Sequence, residues 1–258
     1  NRTPRLMCLI LFSFEPKLNN QLVVLANRDE FYLRETAQAG FWEGDRQLLA
    51  GKDLVAGATW MGMHTSGRFA GVTNYREPGQ VVDGAESRGG LPVGFLEGNS
   101  TALDYLKRVE DKADRFNGFN LLVFDGKSLG YYSNRSASGP VLLGGGTYGL
   151  SNHLLDSPWP KVLKGKDALD ARLKASPRPD VTFLDVMMDN SIAADKDLPK
   201  TGVTLEKERL LSPICIQSPG YGTRCSTVVH MDQSGPFLFA EKTVVPKGLS
   251  PDTVIYTF

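Results

Sequence analysis

The 258-residue sequence predicts an α+β fold built on mainly antiparallel sheets. Three observations carry that expectation. Apolar, β-rich runs crowd both ends of the chain, helix-forming segments gather in the middle, and runs such as QLVVLA at 21–26 are apolar on both faces. A strand apolar on both faces suits a sheet covered on both sides, which calls for helices outside the sheets.

The first strand is expected at CLILFSF, 8–14, and the second at 21–26. TWMGMH (59–64) and RFAGVTN (68–74) are joined by TSG and read as a hairpin with a short glycine-containing loop. A second hairpin pairs 119–125 with 129–133 across DGKS. Further strands are expected at 147–151, 213–217, 224–231, 236–243 and 253–258, with DQSG as another turn. STALDYLKRVED reads as a helix with Ser100 as N-cap and apolar residues at 102, 103, 106 and 109. SPWPKVLKGKDALDARLKA carries prolines at its start, where a missing N–H costs a helix nothing. PDVTFLDVMMD is a third helix, capped by Asp180. The polar, glycine-rich 76–90 reads as a mobile loop and 190–202 as a second weak segment. Neither has the make-up of a linker between two cores, so 7–258 is expected to form a single domain.

Lys plus Arg equals Asp plus Glu, 29 each, with no long run of one sign. That argues against a nucleic-acid surface or a basic membrane patch. No apolar run approaches the roughly 20 residues of a membrane helix, so no membrane insertion is expected. NRTPRL has two arginines, but the apolar stretch behind it is short and lacks a small-residue cleavage site. Residues 1–6 are therefore expected to be an added or processed leader. Cys8, Cys215 and Cys225 are odd in number and widely spaced, and His64, His153 and His230 lack zinc-ligand spacing. Unpaired thiols in a reducing, cytoplasmic compartment and no structural metal are the expectation.

Met7 and Cys8 stand together at the head of an apolar run. A cysteine there packs as a small hydrophobe. If Met7 is the initiator, its removal instead exposes Cys8 as a thiol nucleophile with a free α-amine as its base. Polar residues gather at strand ends: Asn27, Arg28, Asp29 and Glu30 after VVLA, Asn74 after GVT, Asn152 after TYGLS, and Arg224 after PGYGT. Each has a reading as turn chemistry. Together with Cys8 they form a set of one thiol, two guanidiniums and two amides, which suits acyl transfer. An arginine favours thiolate, and Asn N–H groups stabilise the oxyanion of a tetrahedral intermediate. No G-x-S-x-G elbow competes for the role, and GGGTYG at 144–149 lacks the Lys-Ser/Thr of a phosphate loop.

The motifs MC, ANRDEFY, GATWMG, TNYR, NGFNLL, TYGLSN, PWPK and PGYGTR occur in this order over 7–258. In these the chain resembles the NRDE family, also called the transport and Golgi organization family. That family in turn resembles the N-terminal-nucleophile hydrolases of the choloylglycine hydrolase and penicillin V acylase group. The resemblance implies a four-layer α/β/β/α sandwich with two sheets face to face. It implies Cys8 as nucleophile, Arg28 beside the thiol, Asp29 as the acid contacting the α-amine, Asn74 and Asn152 as oxyanion or amine contacts, and Arg224 as the late arginine. The spacing to Asp29 differs from the hydrolase pattern, and any residue left before Cys8 removes the free amine. Cys8, Arg28, Asn74, Asn152 and Arg224 are expected to line one cleft. Their motif neighbours Asn27, Trp60, Tyr75, His153 and Tyr221 are the candidate ligand contacts.

The implied activity is hydrolysis or transfer of a hydrophobic acyl group from an amide or thioester, with no cofactor required. The resemblance also implies a rival: a carrier in haem trafficking or in lipid and acyl-coenzyme A handling that uses the same pocket. Haem would take an axial ligand from His64, His153, Met61 or Cys8.

Overall fold

The computed structural model describes residues 7–18, 20–44, 46–80, 82–232, 235–244 and 252–258. The expected leader and part of the DQSG turn lie outside these. In chain order the strands are β1 (Met7–Phe14), β2 (Asn20–Phe31), β3 (Thr36–Phe41), β4 (Leu48–Asp53), β5 (Met61–His64), β6 (Arg68–Asn74), β7 (Phe119–Phe124), β8 (Leu129–Ser133), β9 (Val141–Leu142), β10 (Gly146–Leu150), β11 (Gln217–Ser218), β12 (Tyr221–Asp232), β13 (Leu238–Thr243) and β14 (Thr253–Thr257). The α-helices are α1 (Gly90–Leu96), α2 (Ala102–Glu110), α3 (Pro160–Ala175) and α4 (Leu205–Leu211), with a 3₁₀ helix at Val181–Met188.

The chain forms two compact units. The first takes the segments up to Leu33, Arg76–Pro78, and Gly145 to the end. Its sheet runs β10-β1-β2-β12-β13-β14, with β11 paired to β12. Every pairing in it is antiparallel. Leu9, Leu11, Val23, Leu25, Val228 and Ala240 from the sheet bury against Val162 and Leu169 of α3 and Phe183, Leu184 and Met187 of the 3₁₀ helix. Close seating of α3 needs glycine on both sides. A Cβ on Gly165 would stand 2.6 Å from Leu11 Cδ1, and one on Gly149 would stand 2.7 Å from Val162 Cγ1.

The second unit comprises Arg34–Tyr75 and Gly79–Gly144. Its strands follow one another as β3-β4-β5-β6-β7-β8-β9, again antiparallel throughout. Leu48, Ala70, Val72, Leu121 and Val123 pack on Leu91, Phe95, Leu106 and Val109 of α1 and α2. The α+β class with antiparallel sheets is as expected.

Several elements differ from the sequence reading. TAQAGF and LLAGKD form β3 and β4, although their alanines, glycines and lysine carry little strand propensity. GLPVGFL forms α1 despite a glycine at its start, an internal glycine and a proline, because Leu91, Phe95 and Leu96 share a buried face. LEKERLL forms α4 behind the N-cap Thr204, whose side chain accepts from the Lys207 N–H. Helix α2 is capped by Thr101 rather than Ser100, whose carbonyl instead accepts from Arg68. Of the strand expected at 213–217 only Gln217 is in a strand, the two-residue β11. The backbone of Cys215 and Ile216 is bonded elsewhere, to the Asp189 carbonyl and to Thr223.

Gly165→Val should lower stability by about 1–3 kcal/mol, the usual cost of overpacking. The check is urea unfolding, and an unchanged midpoint would contradict the close seating of α3 on Leu11.

Candidate functional site

Strand β2 is longer than its apolar run suggests and continues through NRDE to Phe31, because β1 and β12 both pair with it there. Cys8 lies opposite Arg28, and Arg28 lies opposite Cys225. Residues directly opposite each other share a face of the sheet, and successive residues alternate. The Cys8 thiol, the Arg28 guanidinium and the Cys225 thiol therefore form one row across three strands. Glu30, two residues on, joins that face, its carboxylate 3.7 Å from Arg28. Asp29 takes the opposite face, with Leu9, Leu11 and Leu25, over which α3 packs. The two thiols are two strand spacings apart, about 10 Å, too far for a disulfide. All three cysteines are free.

Asn152 approaches Cys8 from the turn after β10. Its Oδ1 accepts the Cys8 backbone N–H at 3.4 Å, while the Ser151 hydroxyl donates to the Cys8 carbonyl at 3.1 Å. The turn is tightly held. Asp156 adopts φ 56°, a left-handed conformation that an Asp tolerates, and its carboxylate accepts from the Gly149 N–H at 2.8 Å. The Asn152 carbonyl accepts from the Arg76 N–H at 2.7 Å. The Arg76 guanidinium donates to Glu208 at 2.8 Å and lies over the Trp159 ring at 4.5 Å.

Burial governs the protonation states. The Cys8 thiol is pushed up to about 12, first by burial and then by the Asp29 charge. Arg28 and the Asp29 backbone N–H favour the thiolate but are outweighed. Asp29, fully buried, is pushed up to about 6 by burial, against the charges of Lys161 and Arg28 and a 2.6 Å hydrogen bond from Thr223. With Met7 attached, the nitrogen of Cys8 is a peptide amide and supplies no base.

Arg224 sits where β12 shifts register between Thr223 and Cys225, and donates to the carbonyls of Phe31 and Tyr32 at 3.0 and 3.2 Å. Tyr221 stands edge-on to Phe31 at 5.1 Å. Asn27 is embedded: its amide donates to the Met187 and Ile214 carbonyls, both at 2.9 Å, and its oxygen accepts from Ser226. His153 meets Ser157 through Nδ1 at 2.7 Å, and burial together with Arg76 disfavours its protonation. These residues, with Cys8, Arg28, Asp29 and Asn152, belong to the first unit. Asn74, Trp60, Tyr75, Met61 and His64 belong to the second. There Asn74 ends β6 opposite Phe119, the Trp60 ring covers Gly51, Met61 is buried, and His64 Nδ1 meets Ser66 Oγ at 2.8 Å.

Three residues at this site are given no role by the sequence reading. Glu30 was recoverable from period-two alternation in NRDE, since it must share a face with Arg28. Ser151 lies inside the quoted TYGLSN and Lys161 ends PWPK, but nothing local distinguishes either from a surface residue. Among the described residues no group of three or more His, Cys, Asp or Glu is arranged to hold a metal. No described helix is long and apolar enough to cross a membrane.

With Met7 in place, about one Cys8 thiol in ten thousand is ionised at pH 8, so alkylation should be slow. Asp29→Asn should speed it by about tenfold, because the charge that raises the thiol is gone. Asp29 also predicts a stability trend. Its folded pKa is raised from 3.8 to about 6, so its contribution is full below pH 4 and is lost as pH rises through 6. Asp29→Asn should remove about 2–3 kcal/mol from the difference in unfolding free energy between pH 4 and pH 8. Equal differences in both proteins would show that Asp29 titrates normally.

Over 97% of its length the chain shares its fold with a solved mutant conjugated bile acid hydrolase from Clostridium perfringens, at a TM-score of 0.50, 8% identity and 96% coverage of that protein. The α+β architecture is thus of the N-terminal-nucleophile hydrolase type. Sequence relatives lie much nearer. The human Transport and Golgi organization protein 2 homolog is 36% identical over 98% of this chain and 99% of its own length. The Drosophila melanogaster Transport and Golgi organization protein 2 is 27% identical over 95% of this chain and 94% of its own. The family profile described as Transport and Golgi organisation 2 matches residues 7–246, which takes in Cys8, NRDE, Asn74, Asn152, Lys161 and Arg224, and the chain belongs to that family.

Proposed function

We propose that the protein is an N-terminal-cysteine amidohydrolase or acyltransferase acting on an amide or thioester of a hydrophobic acyl ligand, once Cys8 is its first residue. The observation that carries this reading is the contact of the Cys8 nitrogen with Asn152 Oδ1, 3.4 Å away, with Arg28 directly across the strand pair. Exposed as an α-amine, that nitrogen is positioned by Asn152 and takes the proton of its own thiol. The sulfur attacks the acyl carbonyl, and the tetrahedral oxyanion draws on amide donors, Asn152 of the same unit being the candidate. The protonated amine returns its proton to the departing amine or thiol, leaving an acyl thioester on Cys8. Water attacks that thioester, releases the acid and restores the thiol. Transfer to another nucleophile follows the same course.

A second reading has its own support. In a chain that keeps Met7, the thiol is protonated and baseless, which fits a carrier of haem or an acyl ligand better than a catalyst. For haem, His153 has the best claim of the four ligand candidates, being half-buried, next to Asn152 and held neutral, the form in which imidazole ligates.

Protein with Cys8 verified as N-terminal by intact mass should cleave long-chain acyl amides or thioesters and accumulate an acyl adduct on Cys8. Cys8→Ser should reduce turnover by about a thousandfold or more while sparing ligand affinity. No cleavage across a broad panel, with tight haem binding whose absorption band changes in His153→Ala, would favour the carrier.

A further inference from the structure

Lys161 is a buried cation that the cysteine chemistry above leaves unused. It is the second residue of α3, where the helix dipole opposes positive charge. Only 3% exposed, its ammonium has no hydrogen-bond partner among the described residues. Such a group is expensive to bury. Its direction follows from the packing of α3. Gly165, one turn later on the same face, lies against Leu11, so Lys161 points along that face of the sheet one turn further on. The charged and titratable groups around it are Asp29 of β2, Cys8 of β1, Glu208 of α4 and Arg76. Arg76 repels it, and Glu208 is engaged with Arg76 at 2.8 Å. Asp29 remains, and its Oδ2 is likewise buried without a hydrogen-bond partner among the described residues.

Asp29 also stands at the start of β1. It pairs in register with Met7, and its backbone N–H bonds the Cys8 thiol. An α-amine exposed at Cys8 would lie near this carboxylate, which is in register with the residue just before Cys8; the charges of Asp29, Arg28 and Glu30 all act on the thiol of the same residue. A buried carboxylate facing a single α-ammonium holds it protonated, and a protonated amine takes no proton from a thiol. We propose that the Lys161 ammonium competes for Asp29 and so keeps the α-amine of Cys8 in its neutral, proton-accepting form. Lys161 is thus a positioning residue, acting through Asp29. The proposal rests on the reading of Cys8 as an N-terminal nucleophile. Lys161 itself is brought down to about 8 by burial, and so remains cationic through neutral pH.

The test uses the protein with Cys8 as its verified N-terminus and formaldehyde as probe. The aldehyde carbon condenses with the neutral α-amine, water leaves, and the thiol adds to the resulting imine to close a thiazolidine ring. Intact mass against pH then reports the fraction of neutral amine without any turnover assay. Lys161→Met should raise the pH midpoint of ring formation by about one to two units. Lys161→Arg should restore the wild-type midpoint. In an Asp29→Asn background, Lys161→Met should produce less than half of that shift. Lys161→Gln carries the comparison if the Met variant does not fold, as judged by thermal melting. Equal midpoints in wild type and Lys161→Met, or Lys161→Arg behaving like Lys161→Met, would overturn the proposal. A shifted midpoint in a protein that cleaves no acyl substrate would instead count against the acyl-transfer reading alone.

Discussion

The antiparallel register of β2 between β1 and β12 is the constraint on which the site depends. It sets Cys8, Arg28 and Cys225 in one row and sends Asp29 through to the opposite face. A slip of one residue would exchange those faces. Arg28 and Glu30 would then meet the apolar residues under α3, and Asp29 would stand beside the thiol. Register is held by the apolar residues of the same strands. Leu9, Leu11, Val23 and Leu25 must all face α3 and the 3₁₀ helix at once.

Placing NRDE inside a strand brings four polar side chains into a nearly dry region, and each is accommodated differently. Asn27 is satisfied by carbonyls of the segments beside it and ties the 3₁₀ helix to the sheet. Arg28 and Glu30 offset one another on the thiol face. Asp29 keeps one oxygen on Thr223, and the other has no hydrogen-bond partner among the described residues. The chemistry follows from that inequality. A buried thiol with an amide nitrogen and the Asp29 carboxylate nearby stays protonated. The same thiol with a free amine would have a base within its own residue. Whether Met7 is attached thus decides, more than any side chain, whether the Cys8 thiol has a base beside it.

Much of this was legible beforehand. The strand character of 8–14, 68–74, 119–124 and 129–133 follows from apolar β-rich runs, and prolines and polar caps mark α3 and the helix after Asp180. The motif set pointed to Cys8, Arg28 and Asn152, which the structure brings into adjoining positions of one unit. Elements of weak local character were not legible. GLPVGFL has poor helix propensity and TAQAGF poor strand propensity, and both owe their form to neighbours distant in sequence. Likewise PICIQ reads as a strand, but its backbone bonds are taken by Asp189 and Thr223, supplied from elsewhere in the chain.

By itself the sequence determined what depends on periodicity and residue chemistry: an α+β chain with antiparallel sheets, a thiol at the head of a strand, and a small set of polar residues able to serve it. Tertiary structure decided which of these residues meet, on which face, and in what protonation state. The physical reason is that charge states inside a protein are set by burial and by neighbours brought from afar. Asp29 and Lys161 lie more than a hundred residues apart, and only the seating of α3 on β1 makes each the other's electrostatic partner.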